Sequence, residues 1–502
     1  MKRNTIRSLH LVDLKFHKSC YELKELIKEF IPTEDFEIKN DYVKVSQTQS
    51  SKPRKEKISS PPTPHGDAAV GGADESAEAE EVQIINIELP DGDMDKNAAK
   101  RFIYDTFAEL TGYRPEWGTL TGVRPTKMAN ELMYRQGMSS DQVRQIFSEE
   151  YYVSKEKTDL VMETCDNQKF ITGKPAGDSA GVYIGIPFCP TRCLYCSFAS
   201  YQANEAAMER YLEALLKEVE LTGKRMSELG ITAESIYLGG GTPTSLSADA
   251  LDRLLSHVRK YIDMTGMIEF CVEAGRPDTI TAEKLEVIRK NGADRISINP
   301  QTMNDSTLEI IGRSHRVEDI YRAFEIAKDS GIPHINTDLI AGLPGEDYDM
   351  FMDSLRKVIE LGPSNITVHT LAVKRASKLR ELDANYNYDK SADVGRMVGD
   401  ARRLLAENGY FPYYMYRQKH MRGNFENVSY AKKGTESPYN IRIMDEHQTI
   451  IAMGAGGISK AYYEEENRLE RVPNVSNFEI YIDRIDEMIK RKEDKLYIPF
   501  IK

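Results

Sequence analysis

Three cysteines stand close together in the segment "YIGIPFCPTRCLYCSFAS" (residues 183–200), where Cys189, Cys193 and Cys196 are spaced C-x3-C-x2-C. A structural zinc site normally closes with four ligands, most often in two pairs, and the sequence contains no second pair. Thiolates are also the ligands of iron–sulfur clusters, and three of them leave one iron of a cubane cluster open to bind another molecule. The spacing therefore favours such a cluster, with zinc as the alternative.

The other three cysteines, Cys20, Cys165 and Cys271, are scattered along the 502-residue chain. Six cysteines in so long a chain are too few for a disulfide framework, and their clustering indicates a metal or redox role in a reducing compartment. Cys271 stands within an apolar, strand-like segment, where a small core residue is its expected role. We therefore expect a cytoplasmic protein.

Six short apolar segments between residues 181 and 373 each end in polar or glycine-rich residues. The segments are "GVYIGIP", "SIYLGGG", "EFCVEAG", "RISINP", "HINTDLIAGL" and "NITVHTLAV". In the same order, they contain or lead into the cysteine loop, the run "GGGTPT", Glu273, Gln301, Asp338 and Lys374. Helical stretches separate them, so the alternation predicts a parallel sheet curled fully or partly into a barrel. Barrel enzymes carry the active site at the carboxyl edge of the strands, where we expect one ligand pocket.

The run Gly239-Gly240-Gly241 fits two interpretations. It is either a tight turn into a helix that starts near Pro243 and Thr244, or a place where the backbone approaches a ligand closely. Because the run does not match the G-x-G-x-x-G pattern, the sequence does not support a dinucleotide-binding fold.

The loop "PFCPTRCLYC", with an aromatic residue before its last cysteine, resembles the signature of the radical S-adenosylmethionine (radical SAM) enzymes. The stretches "YIGIPFC", "GGGTPT", "VEAGRPDT", "SINPQTMND", "GRSH" and "NTDLIAGLPGE" are similar to the coproporphyrinogen dehydrogenase branch (HemN- and HemW-like proteins), from about residue 181 to 380. The leader with "WGTLTGVRPTK" resembles the HemZ-type subgroup. The resemblance implies an α/β fold: a partial (β/α)6 radical SAM barrel with a small α+β N-terminal domain and a C-terminal α+β extension.

The resemblance implies two cofactors, a [4Fe–4S] cluster and S-adenosylmethionine (SAM). Cys189, Cys193 and Cys196 would bind the cluster, and SAM would chelate its fourth iron. A zwitterionic sulfonium compound needs both acidic and basic partners. The residues that the resemblance implies for SAM binding are Tyr183, Tyr195, Gly240, Gly241, Thr242, Glu273, Gln301, Arg313, Asp338 and Ala372. The cofactors would supply the reactive species, a 5′-deoxyadenosyl radical, and we assign no residue a catalytic role.

The reaction that the resemblance implies is the oxygen-independent oxidative decarboxylation of coproporphyrinogen III to protoporphyrinogen IX, in haem biosynthesis. A flavodoxin- or ferredoxin-like protein would donate the electrons. The tetrapyrrole substrate carries four carboxylates and needs cationic partners. Two groups of basic residues are candidates, with a solvated basic face as the alternative for each: Lys374, Arg375, Lys378 and Arg380, and Arg417, Lys419 and Arg422. Tyr413, Tyr414 and Tyr416 either cover a tetrapyrrole face or pack in the core.

Two positions depart from the pattern of the established dehydrogenases. Gly185 replaces the usual histidine of "YIHIPFC", and Phe198 stands where those enzymes often carry a further cysteine. At Phe198 the loop is more similar to the haem-chaperone relatives. The alternative function is therefore a haem-binding chaperone without decarboxylase activity, with His315, His369 or His420 as candidate haem ligands.

Residues 46–81 are rich in Ser, Pro, Gly, Ala and charge and contain no aromatic residue, so we expect a disordered insertion. The stretches on either side, residues 36–46 and 82–89, alternate as half-buried strands do. They therefore belong to one N-terminal domain. The predicted domains are an N-terminal α+β domain, the core barrel and a C-terminal domain, over residues 1–175, 176–385 and 386–502.

The composition is that of an ordinary globular chain, with 40% hydrophobic and 29% charged residues. The net charge of −12 argues against nucleic acid as a partner. No apolar stretch of the length that a membrane-spanning helix requires occurs, and the basic N-terminus lacks the apolar run of a signal peptide. We therefore expect neither a nucleic-acid nor a membrane partner.

Overall fold

The structure is a computed structural model, and the residues that it describes cover most of the chain: 9–13, 20–27, 29–30, 36–39, 42–45, 84–88, 94–121, 124–173, 178–196, 198, 200–372, 391–417 and 425–501. The predicted insertion at 46–81 lies outside the described residues. So do the candidates Lys374, Arg375, Lys378, Arg380, Lys419, His420 and Arg422. The chain divides into two compact units, which are Met1–Thr121 with Glu149–Val153, and Gly122–Ser148 with Ser154–Lys502. The predicted domain boundaries at 175 and 385 stay predictions.

The first unit contains a four-stranded sheet in the order β2-β3-β1-β4, with β1 parallel to β4 and antiparallel to β3. Its strands are β1 (Leu9–Asp13), β2 (Phe36–Lys39), β3 (Tyr42–Val45) and β4 (Ile84–Glu88). The segment expected to be one strand at 36–46 forms two antiparallel strands, with the turn-favouring pair Asn40-Asp41 between them in sequence. Two helices, α1 (Cys20–Ile27) and α2 (Lys96–Thr111), share a core with Phe30 and Phe107 fully buried.

The second unit is built on six parallel strands that follow one another in sheet order, as the alternating sequence predicts. They are β5 (Ser179–Ile186), β6 (Thr232–Gly240), β7 (Glu269–Glu273), β8 (Arg295–Ser297), β9 (His334–Ala341) and β10 (Asn365–Thr370). The helices between them are α6 (Glu205–Glu228), α7 (Ala248–Tyr261), α8 (Ala282–Lys290), α9 (Asp305–Ile310), α10 (Val317–Ser330) and α11 (Tyr348–Leu361). Three short helices precede β5: α3 (Pro125–Asn130), α4 (Ser140–Gln145) and α5 (Lys155–Gln168).

Local sequence explains where these helices begin. The side chain of Asn204 accepts a hydrogen bond from the Ala207 amide at the start of α6, and Ser247 does the same for α7. At α11, Asp347 caps the start and Gly362, with φ of 73°, ends the helix in the left-handed conformation. The helices that separate β5 from β6, β6 from β7 and β9 from β10 therefore each have their own start signal.

The chain after β10 adds strands to both edges of this parallel core, which makes an eleven-stranded mixed sheet. β12 (Asn427–Lys432) pairs antiparallel with β10, and β11 (Tyr410–Tyr416) lies outside it. β13 (Ile450–Met453) pairs parallel with β5, and β14 (Ile458–Tyr463) and β15 (Arg468–Pro473) follow it. The helices of this part are α12 (Ser391–Glu407), α13 (Pro438–Asp445), α14 (Phe478–Asp483) and α15 (Ile485–Lys495).

One face of the core strands is apolar and fully buried. Val182, Leu238, Val272 and Ile296 are each 0% exposed. On the other face polar residues alternate with apolar ones, as Glu269 and Arg295 do, so these strands differ from the continuously apolar strands of a sheet that helices cover on both sides. Polar side chains in buried strands are costly unless partnered, and the buried Arg295 guanidinium pairs with Glu269 at 2.8 Å.

A buried carboxylate ties the C-terminal helices to the barrel. Glu218 of α6 accepts hydrogen bonds from the Tyr481 hydroxyl at 2.5 Å, the Gly454 amide at 2.7 Å and the Asn474 amide at 2.9 Å, and it forms an ion pair with Lys492.

No helix within the described ranges has both the length and the apolar character needed to cross a membrane.

Lys492→Met should strongly destabilise the protein, because it leaves the fully buried Glu218 carboxylate without its cation. We expect a loss of about 3–5 kcal/mol in the free energy of unfolding, measured by urea denaturation. The matched control is Arg253→Met, which removes an exposed partner of Glu209 and Glu213 on the same helix α6. That change should cost about 1 kcal/mol or less. Equal losses in the two variants would contradict the importance of the buried pair.

Candidate functional site

A cavity of about 390 Å³ lies at the carboxyl ends of the six parallel strands. This volume falls in the range of small-molecule sites. The predicted site residues that line it are Cys189, Cys193, Cys196, Tyr195, Gly240, Gly241, Thr242, Glu273, Gln301, Arg313, Asp338 and Ala372. Tyr183 lies outside this lining, and its ring stacks on that of Tyr237 at a centroid distance of 6.4 Å.

The cysteine loop follows β5 and is folded by backbone hydrogen bonds. The Cys189 amide donates to the Tyr201 carbonyl at 3.0 Å, and the Cys196 amide donates to the Cys193 carbonyl at 3.1 Å. Cys193 is 9% exposed, and the other two thiols are half-buried. Burial raises the pKa of the thiols of Cys189 and Cys196, so these groups hold their protons more tightly than in water until a cation binds.

The three thiols do not form a site for one metal ion. In the part of the chain that the structure describes, no three His, Cys, Asp or Glu side chains are gathered as a single ion requires. A multi-iron cluster places its thiolates on different irons, so their sulfurs need not converge on one point. The arrangement of the three thiols is compatible with such a cluster.

The glycine run at the end of β6 brings backbone against the cysteine loop. The Gly241 amide donates to the Ile186 carbonyl at 2.8 Å, and the Thr242 amide donates to the Phe188 carbonyl at 2.7 Å. Gly240 has φ of 114°, and a Cβ on Gly241 would lie 2.6 Å from the Phe188 carbonyl oxygen. Glycine is therefore required here for a close approach, because a side chain would push the two segments apart.

Glu273, at the end of β7, faces the same cavity and accepts a hydrogen bond from the Tyr237 hydroxyl at 2.5 Å. Withdrawal from water raises the pKa of this carboxyl to about 7, although the Tyr237 hydrogen bond opposes the shift, and the nearby Asp338 carboxylate adds to the rise. A cationic ligand would favour its ionised form.

Several polar atoms at the cavity have no hydrogen-bond partner among the described residues. They are Gln301 Oε1, Asn299 Oδ1 and Arg313 Nε, all buried. Gln301 has φ of 71°, which is a rare conformation for a residue with a side chain. The Arg313 guanidinium is otherwise held, since it donates to the Asn299 carbonyl at 2.6 Å and to the Tyr195 hydroxyl at 3.0 Å. Unpaired buried polar groups at a cavity indicate a place for a polar ligand.

The opposite wall of the cavity comes from the C-terminal strands, and sequence reasoning largely missed it. Tyr414 and Tyr416 line the cavity, whereas Tyr413 packs into a core cluster, and the contact of the first two with a tetrapyrrole stays a prediction. The amides Asn427 and Asn440 also line it. The two-residue period of a strand would have placed residues 414 and 416 on one face, but nothing local marks the amides as site residues.

The candidate haem ligands and the candidate cationic residue Arg417 differ in whether they line the cavity. His369 lines the cavity with its Nε2 atom 3.5 Å from Asp338 Oδ2, whereas His315 is buried and outside the lining. Arg417 is buried and does not line the cavity. Phe198 lies at the lining and is 68% exposed, so a large apolar ring faces solvent beside the cysteines.

Comparison with known proteins agrees with this architecture. The family model described as the Radical SAM superfamily matches residues 183–358. The oxygen-independent coproporphyrinogen-III oxidase-like protein HemZ of Bacillus subtilis is 41% identical over 79% of this chain and 81% of that protein. The heme chaperone HemW of Bacillus subtilis is 32% identical over 61% of this chain and 76% of that protein.

The solved structure of coproporphyrinogen III oxidase (HemN) from Escherichia coli has a TM-score of 0.51 to this chain. The two sequences are 22% identical, and the matched region covers 65% of this chain and 73% of the HemN chain. The likeness shows that the two share the fold, which is the partial α/β barrel that the sequence predicts.

Glu273→Gln should stabilise the protein at about pH 8 and leave its stability unchanged at about pH 4. The folded protein keeps the Glu273 proton up to about pH 7, whereas an ordinary carboxyl loses it near 4.5. The wild type therefore loses stability as the pH rises through this window, because the buried carboxyl must ionise. We expect the variant to gain about 1–3 kcal/mol at the higher pH, measured by urea denaturation. As control, Glu309→Gln alters an exposed carboxyl and should leave the free energy of unfolding unchanged at both pH values. A gain of equal size at both pH values in Glu273→Gln would contradict the raised pKa of Glu273.

Proposed function

Because this chain belongs to the radical SAM superfamily, in the group that contains HemZ, we propose that it catalyses the oxygen-independent oxidative decarboxylation of coproporphyrinogen III to protoporphyrinogen IX. The observation that carries the proposal is the single cavity at the carboxyl edge of the barrel. It gathers three thiols, the acidic Glu273 and Asp338, and the basic Arg313. Identity to HemZ over most of both chains supports the haem pathway as its setting.

The cofactors of this family are a [4Fe–4S] cluster and SAM, and the cavity fits both groups. The three cysteine side chains lie on one loop and face the cavity together, which suits three irons of a cluster. The glycine run keeps β6 close to that loop without side chains, and the unpartnered atoms of Gln301 and Arg313 are buried beside it. We assign Cys189, Cys193 and Cys196 to the cluster.

The SAM contacts follow from charge and position. Glu273 and the glycine edge of β6 would hold the amino end of the cofactor, where an ionised carboxylate and peptide groups suit an ammonium. Arg313 would hold the carboxylate end through its remaining donor, and Gln301 and Asp338 would contact the ribose or sulfonium region. When bound, the reduced cluster supplies an electron that cleaves SAM to a 5′-deoxyadenosyl radical.

The residues of the cavity also separate this chemistry from water. Arg313 and Gln301 are 9% and 7% exposed, and Arg313 donates to the hydroxyl of Tyr195 in the cysteine loop. Exclusion of water protects a reactive intermediate from side reactions. Tyr414 and Tyr416 give the opposite wall an aromatic surface suited to a tetrapyrrole face.

The proposed partners follow from the reaction. A tetrapyrrole with four carboxylates needs several cations, and the basic candidates from Lys374 to Arg380 follow Ala372 of the lining directly in sequence. Their role as substrate contacts stays a prediction. A flavodoxin- or ferredoxin-like electron donor and a cytoplasmic location complete the proposal, with no nucleic-acid or membrane partner.

A second candidate function is that of a haem-binding chaperone. It is favoured by the identity to proteins named heme chaperone HemW and by Phe198, which occupies the position of a further cysteine in the established dehydrogenases. His369 lines the cavity and offers an imidazole to a haem iron. This function would need no decarboxylation.

Anaerobic incubation with coproporphyrinogen III separates the two functions. The reduced, reconstituted protein should release protoporphyrinogen IX, carbon dioxide and 5′-deoxyadenosine, measured by mass spectrometry. SAM cleavage without any decarboxylated product would contradict the dehydrogenase. Stoichiometric haem binding that His369→Ala abolishes would then support the chaperone.

Cys189→Ala should remove nearly all cluster iron, because two thiolates from one loop are insufficient to hold the cluster. Iron and sulfide per chain, measured after anaerobic reconstitution, test this. Cys271→Ala is the matched control, since Cys271 is a fully buried thiol outside the cavity lining and should retain the wild-type iron content. Full iron in the Cys189 variant would overturn the ligand assignment.

A further inference from the structure

Arg276 lies three residues beyond Glu273 and takes no part in the contacts proposed so far. It is 3% exposed and lines the cavity beside the cysteine loop. A buried guanidinium is costly in free energy unless its donors are satisfied. Its partners therefore show what the protein gains by placing a charge there.

All five N–H groups of Arg276 have an acceptor. Its Nε and Nη2 atoms donate to the two oxygens of Asp278 at 2.9 and 2.7 Å, which is the bidentate geometry of an arginine–carboxylate pair. Its Nη1 atom donates to the Thr191 hydroxyl at 2.7 Å and to the Thr191 carbonyl at 3.3 Å. Its Nη2 atom also donates to the Ser314 hydroxyl at 2.8 Å.

These acceptors belong to three different loops. Thr191 lies between Cys189 and Cys193, Asp278 follows β7, and Ser314 is the neighbour of Arg313. The loops are joined further, since the Thr191 hydroxyl donates to the Gly312 carbonyl at 3.4 Å. The Ser314 hydroxyl donates to Asp278 at 2.9 Å.

The same loops meet at a second point. The Leu194 amide donates to the Ile311 carbonyl at 3.0 Å, and Arg313 reaches the Tyr195 hydroxyl at 3.0 Å. The cysteine loop and the loop of Arg313 are therefore held in one relative position by contacts on both sides of Cys193. The loop after β7 is fixed to them by the contacts of Arg276 and by the hydrogen bond from Ser314 to Asp278, and of these only Arg276 reaches the cysteine loop directly.

We infer that Arg276 is a positioning residue that sets the place of the cysteine loop relative to Arg313, and so couples cluster retention to SAM affinity. The inference rests on the proposed assignment of the cysteines and Arg313. Lysine cannot replace arginine in this role, because a single ammonium has three donors and no planar fork for the simultaneous contacts with Asp278, Thr191 and Ser314. Replacing a residue that orients the ligands of a metal site typically lowers the affinity of the site for the metal 10- to 100-fold.

Arg276→Lys tests the inference with two readouts besides turnover. We expect iron loss to a chelator to become about tenfold faster, and the SAM concentration needed to shift the electron paramagnetic resonance spectrum of the reduced cluster to rise about tenfold. The matched control is Arg442→Lys. Arg442 is equally buried and pairs through two nitrogens with Glu234, but it lies outside the cavity lining. It should leave both readouts at wild-type values.

Thr191→Val provides a milder test, because it removes the Thr191 hydroxyl, with its contacts to Arg276 and to the Gly312 carbonyl, and keeps the contact of Arg276 with the Thr191 carbonyl. It should move both readouts in the same direction by a smaller factor, and it decides the matter if Arg276→Lys does not fold. Wild-type readouts in both variants, or equal changes in Arg442→Lys, would overturn the positioning role. Full iron in Cys189→Ala would instead indicate that the cluster assignment itself is wrong.

Discussion

Six parallel strands that lie side by side must bring their carboxyl ends to one edge, and the rest of this site depends on that constraint. The cysteine loop follows β5, the glycine run ends β6 and Glu273 ends β7, while Asp338 and Ala372 come from or after β9 and β10. The polar groups that the chemistry needs lie where the strands end, which is where barrel enzymes carry their active sites. One cavity therefore collects residues that are far apart in the chain.

The buried polar groups of the cavity are costly in the empty protein, and a polar ligand would lower that cost. Burial raises the pKa of the Cys189 and Cys196 thiols and of the Glu273 carboxyl, because their charged forms lose hydration. The buried Gln301 Oε1 and Arg313 Nε atoms have no partner among the described residues, and such atoms each cost about 1–3 kcal/mol. A ligand that carries cationic and anionic groups would offset these costs. Arg276 differs from these groups, since its donors are already satisfied by the protein.

The C-terminal strands pack closely against Gly185, which stands where the established dehydrogenases carry a histidine. β13 pairs parallel with β5, and a Cβ on Gly454 would lie 2.4 Å from the Gly185 carbonyl oxygen. In turn, a Cβ on Gly185 would meet the Ala455 carbonyl oxygen at 3.3 Å. A side chain at position 185 would therefore require this turn to shift by a few tenths of an ångström. The buried Glu218 holds the turn in place through the Gly454 amide.

The sequence by itself determined the parallel barrel, the cluster motif and the set of strand-end residues, because these depend on local spacing and on the regular alternation of strands and helices. Of the residues expected around SAM, all but Tyr183 line the cavity, and their individual contacts stay predictions. Only the tertiary structure decided which tyrosines of β11 face the cavity, that Asn427 and Asn440 join them, and that Arg276 ties three loops together. Those relations depend on side chains from segments far apart in sequence. Local pattern carries no information on how such segments meet, because their packing is decided by the whole fold.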